Sequence, residues 1–420
     1  MASRVVIAPD SFKGTATAVE AAEWLAEGWL SVRPDDEVIR IPMADGGEGA
    51  LDAFELARPD ARRIPVTVTG PDDRVIEAAW LWLPPTATAG GAVVGGADRL
   101  GGTAVVELAN TSGITLLDRL RPLEAHTIGF GQAIRAALDA GVDEVVLAIG
   151  GSSSTDGGAG ALEVLGASFT GDDGRPVAPG NGGLADVGRA DLSTLRALPP
   201  GGVAVLSDVD NPLLGRRGAV AVFGLQKGIE EGLAPQAEAN LTVFARVLAD
   251  ATGIDPETPG AGAAGGTGFG LLAWGARLTP GATAVAELLR LPQRLVGADV
   301  VITGEGRFDD QSEAGKVPTT VRDLARVAAA DAGASTAAGA SAGFASTAGA
   351  TTVGTVHAPA SAPVRVALVA GAIAGPTASF DDAVSLTDLA GSAAAAMADP
   401  RPHLVAASAA LARAHAAQIA

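Results

Sequence analysis

The residues with the clearest chemical capacity lie in Ile149-Gly150-Gly151-Ser152-Ser153-Ser154-Thr155-Asp156-Gly157-Gly158-Ala159-Gly160, between the apolar run 145–149 and Ala161-Leu162-Glu163-Val164-Leu165. The pattern predicts a buried strand that ends at this loop and a helix that begins after it. Glycines let a backbone turn tightly and approach a ligand, and hydroxyls beside the free N–H groups of a helix start make an anion site. A phosphate or a carboxylate fits such a place. The alternative is a glycine-rich connection in which Thr155 or Asp156 only caps the helix.

Lysine gives a second signal. Of the 29 basic residues 26 are arginine, and the lysines are Lys13, Lys227 and Lys316. Each stands in a polar, glycine-bearing segment: Asp10-Ser11-Phe12-Lys13-Gly14, Leu225-Gln226-Lys227-Gly228 and Ala314-Gly315-Lys316-Val317. Lysine is a compact point charge for phosphate where the arginine fork does not fit; solvated surface lysines are the plain alternative. Four further segments put acids and hydroxyls after short apolar runs: Asp10-Ser11, Asp45-Gly46-Gly47-Glu48, Ser207-Asp208-Val209-Asp210-Asn211-Pro212 and Gly304-Glu305-Gly306. Carboxylates, lysines and anion loops together suit phosphoryl transfer, with Mg²⁺ held by carboxylates and point charges stabilising the moving group.

The elements that must position these loops follow from the pattern. Val5-Val6-Ile7-Ala8 reads as a strand, Val19, Ala22, Leu25, Ala26 and Trp29 as the buried stripe of a helix, residues 37–41 as a second strand, and a helix follows from about Ala50. This βαβα opening predicts a parallel, doubly wound sheet, in which ligands bind beyond the carboxyl ends of the strands. Hairpin-like strands at 66–69 and 75–83 mark entry into a second domain, which continues through strands at 104–108, 145–149 and 203–206 and a helix over 235–250. A strand at 299–303, tipped by residues 304–309, returns to the first domain. The expected organisation is therefore α/β: a discontinuous doubly wound domain at 1–65 and 290–420, an inserted α/β domain at 66–289, and a low-complexity, mobile Ala/Gly/Ser/Thr insertion at 328–362. After it come a strand near 364–369 and closing helices around 388–397 and 402–417.

Composition narrows the function. The net charge of -19 disfavours nucleic acid and anionic membranes, so the expected partners are small molecules, with the chain a monomer or homodimer. Cysteine is absent, which excludes disulfides and thiolate chemistry, and four scattered histidines argue against a histidine-rich metal site. No segment is long enough to span a membrane and the N-terminus lacks a leader pattern, so a cytoplasmic location is expected. Gly260-Ala261-Gly262-Ala263-Ala264-Gly265 matches a dinucleotide fingerprint by letter, but Asp255-Pro256-Glu257-Thr258-Pro259 precedes it where a strand belongs.

Taken together, Val6 to Gly14, Pro42 to Gly49, Ile149 to Ser152 with Thr155 to Gly158, Ser207 to Leu213 with Phe223 to Gly228, Pro259 to Gly266 and Ile302 to Gly306 resemble, in order and spacing, the motif series of the type 1 glycerate kinase family. The resemblance runs from residue 4 to about 326 and resumes weakly near 364. It implies ATP-dependent phosphorylation of D-glycerate to 2-phosphoglycerate, with ATP and Mg²⁺, in a cleft between two α/β domains. The implied ligand-binding residues are Asp10, Ser11, Asp45, Gly46, Glu48, Gly150, Gly151, Ser152, Thr155, Asp156, Gly157, Asn211, Gln226, Glu305 and Lys316, with Lys13, Lys227 and Asp208 catalytic. Because a glycerate hydroxyl is a poor nucleophile, one carboxylate must take its proton while another holds the metal; Asp208 is assigned the first role, and Asp210 or Asp45 the second. Two departures stand out: Asp309-Asp310-Gln311-Ser312 replaces the family's more usual single Asp then Gly, and 328–362 has no counterpart. A non-catalytic sugar-acid or nucleotide sensor on the same scaffold is the rival reading.

Overall fold

The computed structural model describes residues 2–12, 14–44, 46–47, 49–85, 99–309, 316–341 and 364–419, with backbone alone considered for 332–341. Lys13, Asp45, Glu48 and 342–362 of the expected insertion lie outside the described residues. In chain order the strands are β1 (Arg4–Pro9), β2 (Glu37–Arg40), β3 (Arg62–Thr69), β4 (Val75–Leu83), β5 (Thr103–Glu107), β6 (Glu144–Ala148), β7 (Ser168–Thr170), β8 (Arg189–Asp191), β9 (Val203–Leu206), β10 (Arg277–Thr279), β11 (Val300–Phe308), β12 (Arg365–Ile373) and β13 (Asp382–Ser385). The chain forms two compact units, Met1–Ala44 with Val285–Ala420, and Asp45–Ala284.

The first unit is built on a parallel five-stranded sheet in the order β13-β12-β11-β1-β2. Val5, Val6, Ile7 and Ala8 are all fully buried, as a central parallel strand covered on both faces requires. Helix Ala18–Leu30 starts at a capping box, Thr17 accepting from the Glu20 N–H while the Glu20 carboxylate accepts from the Thr17 N–H. Its stripe Ala21, Ala22, Leu25 and Trp29 packs with Leu404, Ala407 and Leu411 of helix Pro400–Ile419. Beneath this contact Asp36 accepts from the Ser3 N–H, the Trp29 indole and Arg33, and Ser3 Oγ meets His415 Nε2 at 2.9 Å.

The second unit carries a six-stranded sheet ordered β10-β9-β6-β5-β4-β3 and a β7-β8 ribbon. Strands β10, β9, β6 and β5 are parallel, whereas β4 and β3 run antiparallel at the far edge. Its core centres on Phe130, Phe169, Phe244 and Phe269, with Phe244 edge-on to both Phe169 and Phe269.

Three expectations are corrected. Residues 45–65 belong with the second unit, because β3 pairs with β4 from Arg62↔Trp82 to Thr69↔Val75 and the buried Glu107 at the end of β5 accepts from the N–H groups of Gly49 and Leu51 at the start of helix Ala50–Ala57. Residues 285–289 belong with the first unit. The helix Val317–Ser341 runs into the stretch expected as a mobile insertion, its alanines being strong helix formers even without a large apolar stripe.

Candidate active site

The loop after β6 is built by glycine contacts that no other residue could make. Gly150 donates to the Gly46 carbonyl at 2.9 Å, and a Cβ at Gly150 would stand 2.5 Å from the Gly47 Cα. A Cβ at Gly46 would meet Leu206, the last residue of β9, at 2.6 Å. Residues 46–47, the loop after β6 and the end of β9 are thereby held against one another by bare backbone. Gly157, at φ +65°, has the Phe244 ring where its Cβ would be, so the aromatic core supports the loop from behind.

Asp156 is fully buried and saturated. Its Oδ2 accepts from the Thr127 N–H, the Thr127 hydroxyl and the Gly160 N–H, and Oδ1 from the Ser154 hydroxyl and the Gly158 N–H. It caps the loop and the start of helix Ala159–Val164 rather than reaching outward, which is the capping alternative realised for this residue. Thr155 differs. Its carbonyl is taken by Asn181 Nδ2 at 3.0 Å, but its Oγ1 is buried with no partner. Burying such a hydroxyl unpaired costs about 1–3 kcal/mol.

Lys227 reaches into this loop from the short turn Leu225–Lys227, 2% exposed, and donates from Nζ to Ser152 Oγ and the Ser154 carbonyl, both at 2.6 Å. Burial pulls its ammonium down from the ordinary lysine value to about 7, with the Asp156 carboxylate working in the opposite direction. Gly265 walls the pocket: a Cβ there would lie 2.1 Å from the Ser154 carbonyl oxygen and 2.8 Å from Nζ. The segment 260–266 thus owes its glycines to close packing on this loop and on Pro212, whose carbonyl oxygen lies 2.2 Å from a Cβ at Gly262. Gln226, the neighbour of Lys227, is exposed.

At the tip of β9, Asp208 Oδ1 accepts from the N–H of Gly281, the first residue of helix Gly281–Leu288, at 2.8 Å. Asp210 pairs with Arg217 at 3.0 Å, both exposed, and Asn211 Nδ2 donates to the Arg217 carbonyl. The cap on a later helix was not foreseeable, because nothing near Asp208 in sequence announces a helix start 73 residues on.

The first unit holds the remaining candidates. Asp10 is buried and its Oδ1 accepts from the Ser11 N–H at 2.7 Å, while its own N–H donates to Gly304. The loop closes tightly, Phe12 and Ala16 exchanging both backbone hydrogen bonds around the position of Lys13. Glu305 lies inside β11 rather than at its tip, because pairing with β12 continues to Phe308↔Ile373. A Cβ at Gly304 would come within 2.0 Å of the Val369 carbonyl oxygen, so glycine is what lets the strand continue. Lys316 stands immediately before helix Val317–Ser341, whose first turn has no acidic residue, and its carbonyl accepts from Thr319 Oγ1 and the Thr320 N–H. A lysine at the positive end of a helix favours an anion there.

Sequence reasoning missed Glu107 as organiser of the start of helix Ala50–Ala57, and Asn181 and Gly265 as organisers of the loop after β6. Glu107 was hidden because a charged residue closing an apolar strand looks like the start of solvent.

The glycerate kinase family model matches residues 5–345. Over 328 residues, 77% of this chain and 82% of the relative, the sequence is 37% identical to the glycerate 2-kinase of Escherichia coli K12 and, at the same coverage, 39% identical to the glycerate kinase of Bacillus subtilis 168. The crystal structure of a protein assigned as glycerate kinase 2 from Salmonella typhimurium LT2 superposes with a TM-score of 0.74 at 31% identity, covering 100% of this chain and 99% of that one. With the glycine-built loop and its buried lysine in place, these matches show that the chain belongs to the glycerate kinase family.

Proposed function

We propose that this protein transfers the γ-phosphoryl group of ATP to the 2-hydroxyl of D-glycerate, giving 2-phosphoglycerate. The observation that carries the reading is the lysine at the base of the loop: Lys227 Nζ, 2.6 Å from Ser152 Oγ, is aimed at the place where a phosphate or carboxylate oxygen would rest on a glycine-rich backbone. Lys13 and Lys316 supply further point charges in the first unit, where Asp10 and Ser11 follow β1 and Glu305 stands within β11. Gly46, Gly151, Ser152 and Thr155 offer N–H and hydroxyl donors to an anion in the second unit, and Gly150, whose own N–H goes to the Gly46 carbonyl, holds them together. Asp156 and Gly157 hold that loop in shape, and Asn211 fixes the turn after Asp210.

Asp208 takes the proton of the attacking hydroxyl, its carboxylate oriented by the Gly281 N–H. The donor set fits a magnesium ion: Asp210 is an exposed hard-oxygen ligand whose exposed partner Arg217 can swing away, and Asp45 is its assigned companion. Magnesium of this kind is held by one or two carboxylates and the substrate phosphates. Bound there, Mg²⁺ would neutralise charge on the transferring phosphoryl group. The alcohol oxygen then forms its bond to the γ-phosphorus as the bond to the β,γ-bridging oxygen breaks, and ADP leaves.

A coupled assay of ADP release tests the reading. Release that depends on both ATP and D-glycerate supports it. ATP and glycerate binding without ADP release would establish the sensor alternative instead.

A further inference from the structure

Lys227 is a buried amine set among neutral groups. Nζ donates only to neutral acceptors, Ser152 Oγ and the Ser154 carbonyl, and among the described residues no carboxylate oxygen comes within 4.0 Å of it. Asp156 acts on it through space, but both of its oxygens are spent on Thr127, Ser154, Gly158 and Gly160. Burial, with the nearby Asp156 carboxylate adding to it, pushes Glu163 up to about 7. Thr155, whose Cα and the lysine Nζ both border Gly265, is 1% exposed, and its hydroxyl has no partner. Gly265 stands close enough to leave no room for a different wall.

Charge in such a place is costly until an opposite charge arrives. We infer that Lys227 gains its charge together with its ligand: an anionic oxygen group, the carboxylate of the acceptor or a phosphate of the nucleotide, seats on Ser152 and Nζ and brings one solvent proton onto the amine. The proton comes from buffer and adds to the nitrogen lone pair; no other bond changes. The choice of anions rests on the function proposed above, but the coupling does not. In the free protein the amine, held at about 7 by burial, is mostly neutral above that pH. Binding must therefore take up a proton in mildly alkaline solution, and affinity must fall as pH rises. This also gives the loop a bias for anions over neutral polyols of the same shape.

The test is isothermal titration calorimetry of the full chain in buffers of different ionisation enthalpy, with three probes in separate arms: D-glycerate, MgADP and inorganic phosphate. Near pH 8.5, where Glu163, ADP and phosphate are already ionised, the uptake expected in the responding arm is about one proton per site. It should shrink toward zero near pH 6, where Lys227 already carries its proton, and vanish in Lys227→Met. The arm that responds identifies the source of the anion. Should Lys227→Met fail to fold, the pH dependence of uptake in the unmodified chain still decides. Binding without uptake in every arm, uptake that survives Lys227→Met, or no binding of any probe would overturn the inference. Turnover measured on the same preparation keeps the two proposals apart: an active kinase without uptake sinks only the coupling, and uptake on phosphate without turnover sinks only the assigned reaction.

Discussion

Asp208→Asn separates two things this carboxylate does. Its Oδ1 accepts the Gly281 N–H at 2.8 Å at the start of helix Gly281–Leu288, a job asparagine performs about as well as aspartate. Proton acceptance is lost, because an amide oxygen is not a base at neutral pH. Removing a positioned general base costs about 10² to 10⁴ in rate, equal to about 2.7–5.4 kcal/mol on the barrier. Asp208→Asn should therefore lower kcat by about that factor with KM for both substrates within a few fold, and leave the melting temperature nearly unchanged. Asp208→Ala should show the same kinetic loss and, in addition, the cost of an absent cap, about 1 kcal/mol or roughly 2–4 °C for a unit of this size. Steady-state kinetics and thermal melts on the two variants form the assay. An Asp208→Asn enzyme with kcat within about threefold of the parent would refute the assignment and leave Asp208 as a cap alone.

Gly265→Ala should cripple the loop, since its Cβ would lie 2.1 Å from the Ser154 carbonyl oxygen at a φ of +68°; kinetics and melts should both show the loss, and an unperturbed variant would contradict the packing described. Single Lys→Arg changes at Lys13, Lys227 and Lys316 should each raise a substrate KM by about tenfold or more, because the fork cannot replace a point charge in a glycine-lined site; unchanged kinetics would make them surface residues. Burial, with Arg33 and Arg365 adding to it, holds the His415 imidazolium below its ordinary value, so the unfolded chain binds the proton that the folded chain resists. Stability should be full above about pH 6.5 and fall as pH drops through that value, and His415→Gln should flatten this slope in urea titrations; an equal slope would exclude His415 as its source. Replacing residues 342–362 with a short Gly/Ser linker should leave kcat within about twofold, because that composition cannot supply a packed core; loss of activity would show that the segment serves the reaction.

Much of this molecule could be read from its residues, and the limits have physical causes. The strands at Val5-Val6-Ile7-Ala8 and 145–149 announce themselves because central parallel strands are apolar on both faces. The lysine signal survives because an arginine-rich chain makes each lysine conspicuous, and Lys227 is where the structure places a buried, hydrogen-bonded amine. The domain border was misread at 45–65 because β3 finds its partner β4 across a hairpin, while the link from helix Ala50–Ala57 to Glu107 spans more than fifty residues, beyond any local pattern. Asp156 looked like a ligand-facing acid, but Thr127, 29 residues earlier, claims one of its oxygens. The end of β11 was placed too early because Gly304 and Gly306 look like turn residues, whereas Gly304, with Gly371 opposite Gly306, lets β11 and β12 approach closely.

The most direct measurement of the central claim is the product of a single reaction of D-glycerate with ATP and Mg²⁺, followed by ³¹P and ¹H NMR. The expected product is a phosphate ester on the C2 oxygen, formed in step with ADP and absent without the enzyme. A phosphate ester on C3, or ATP consumed with no glycerate ester at all, would contradict it.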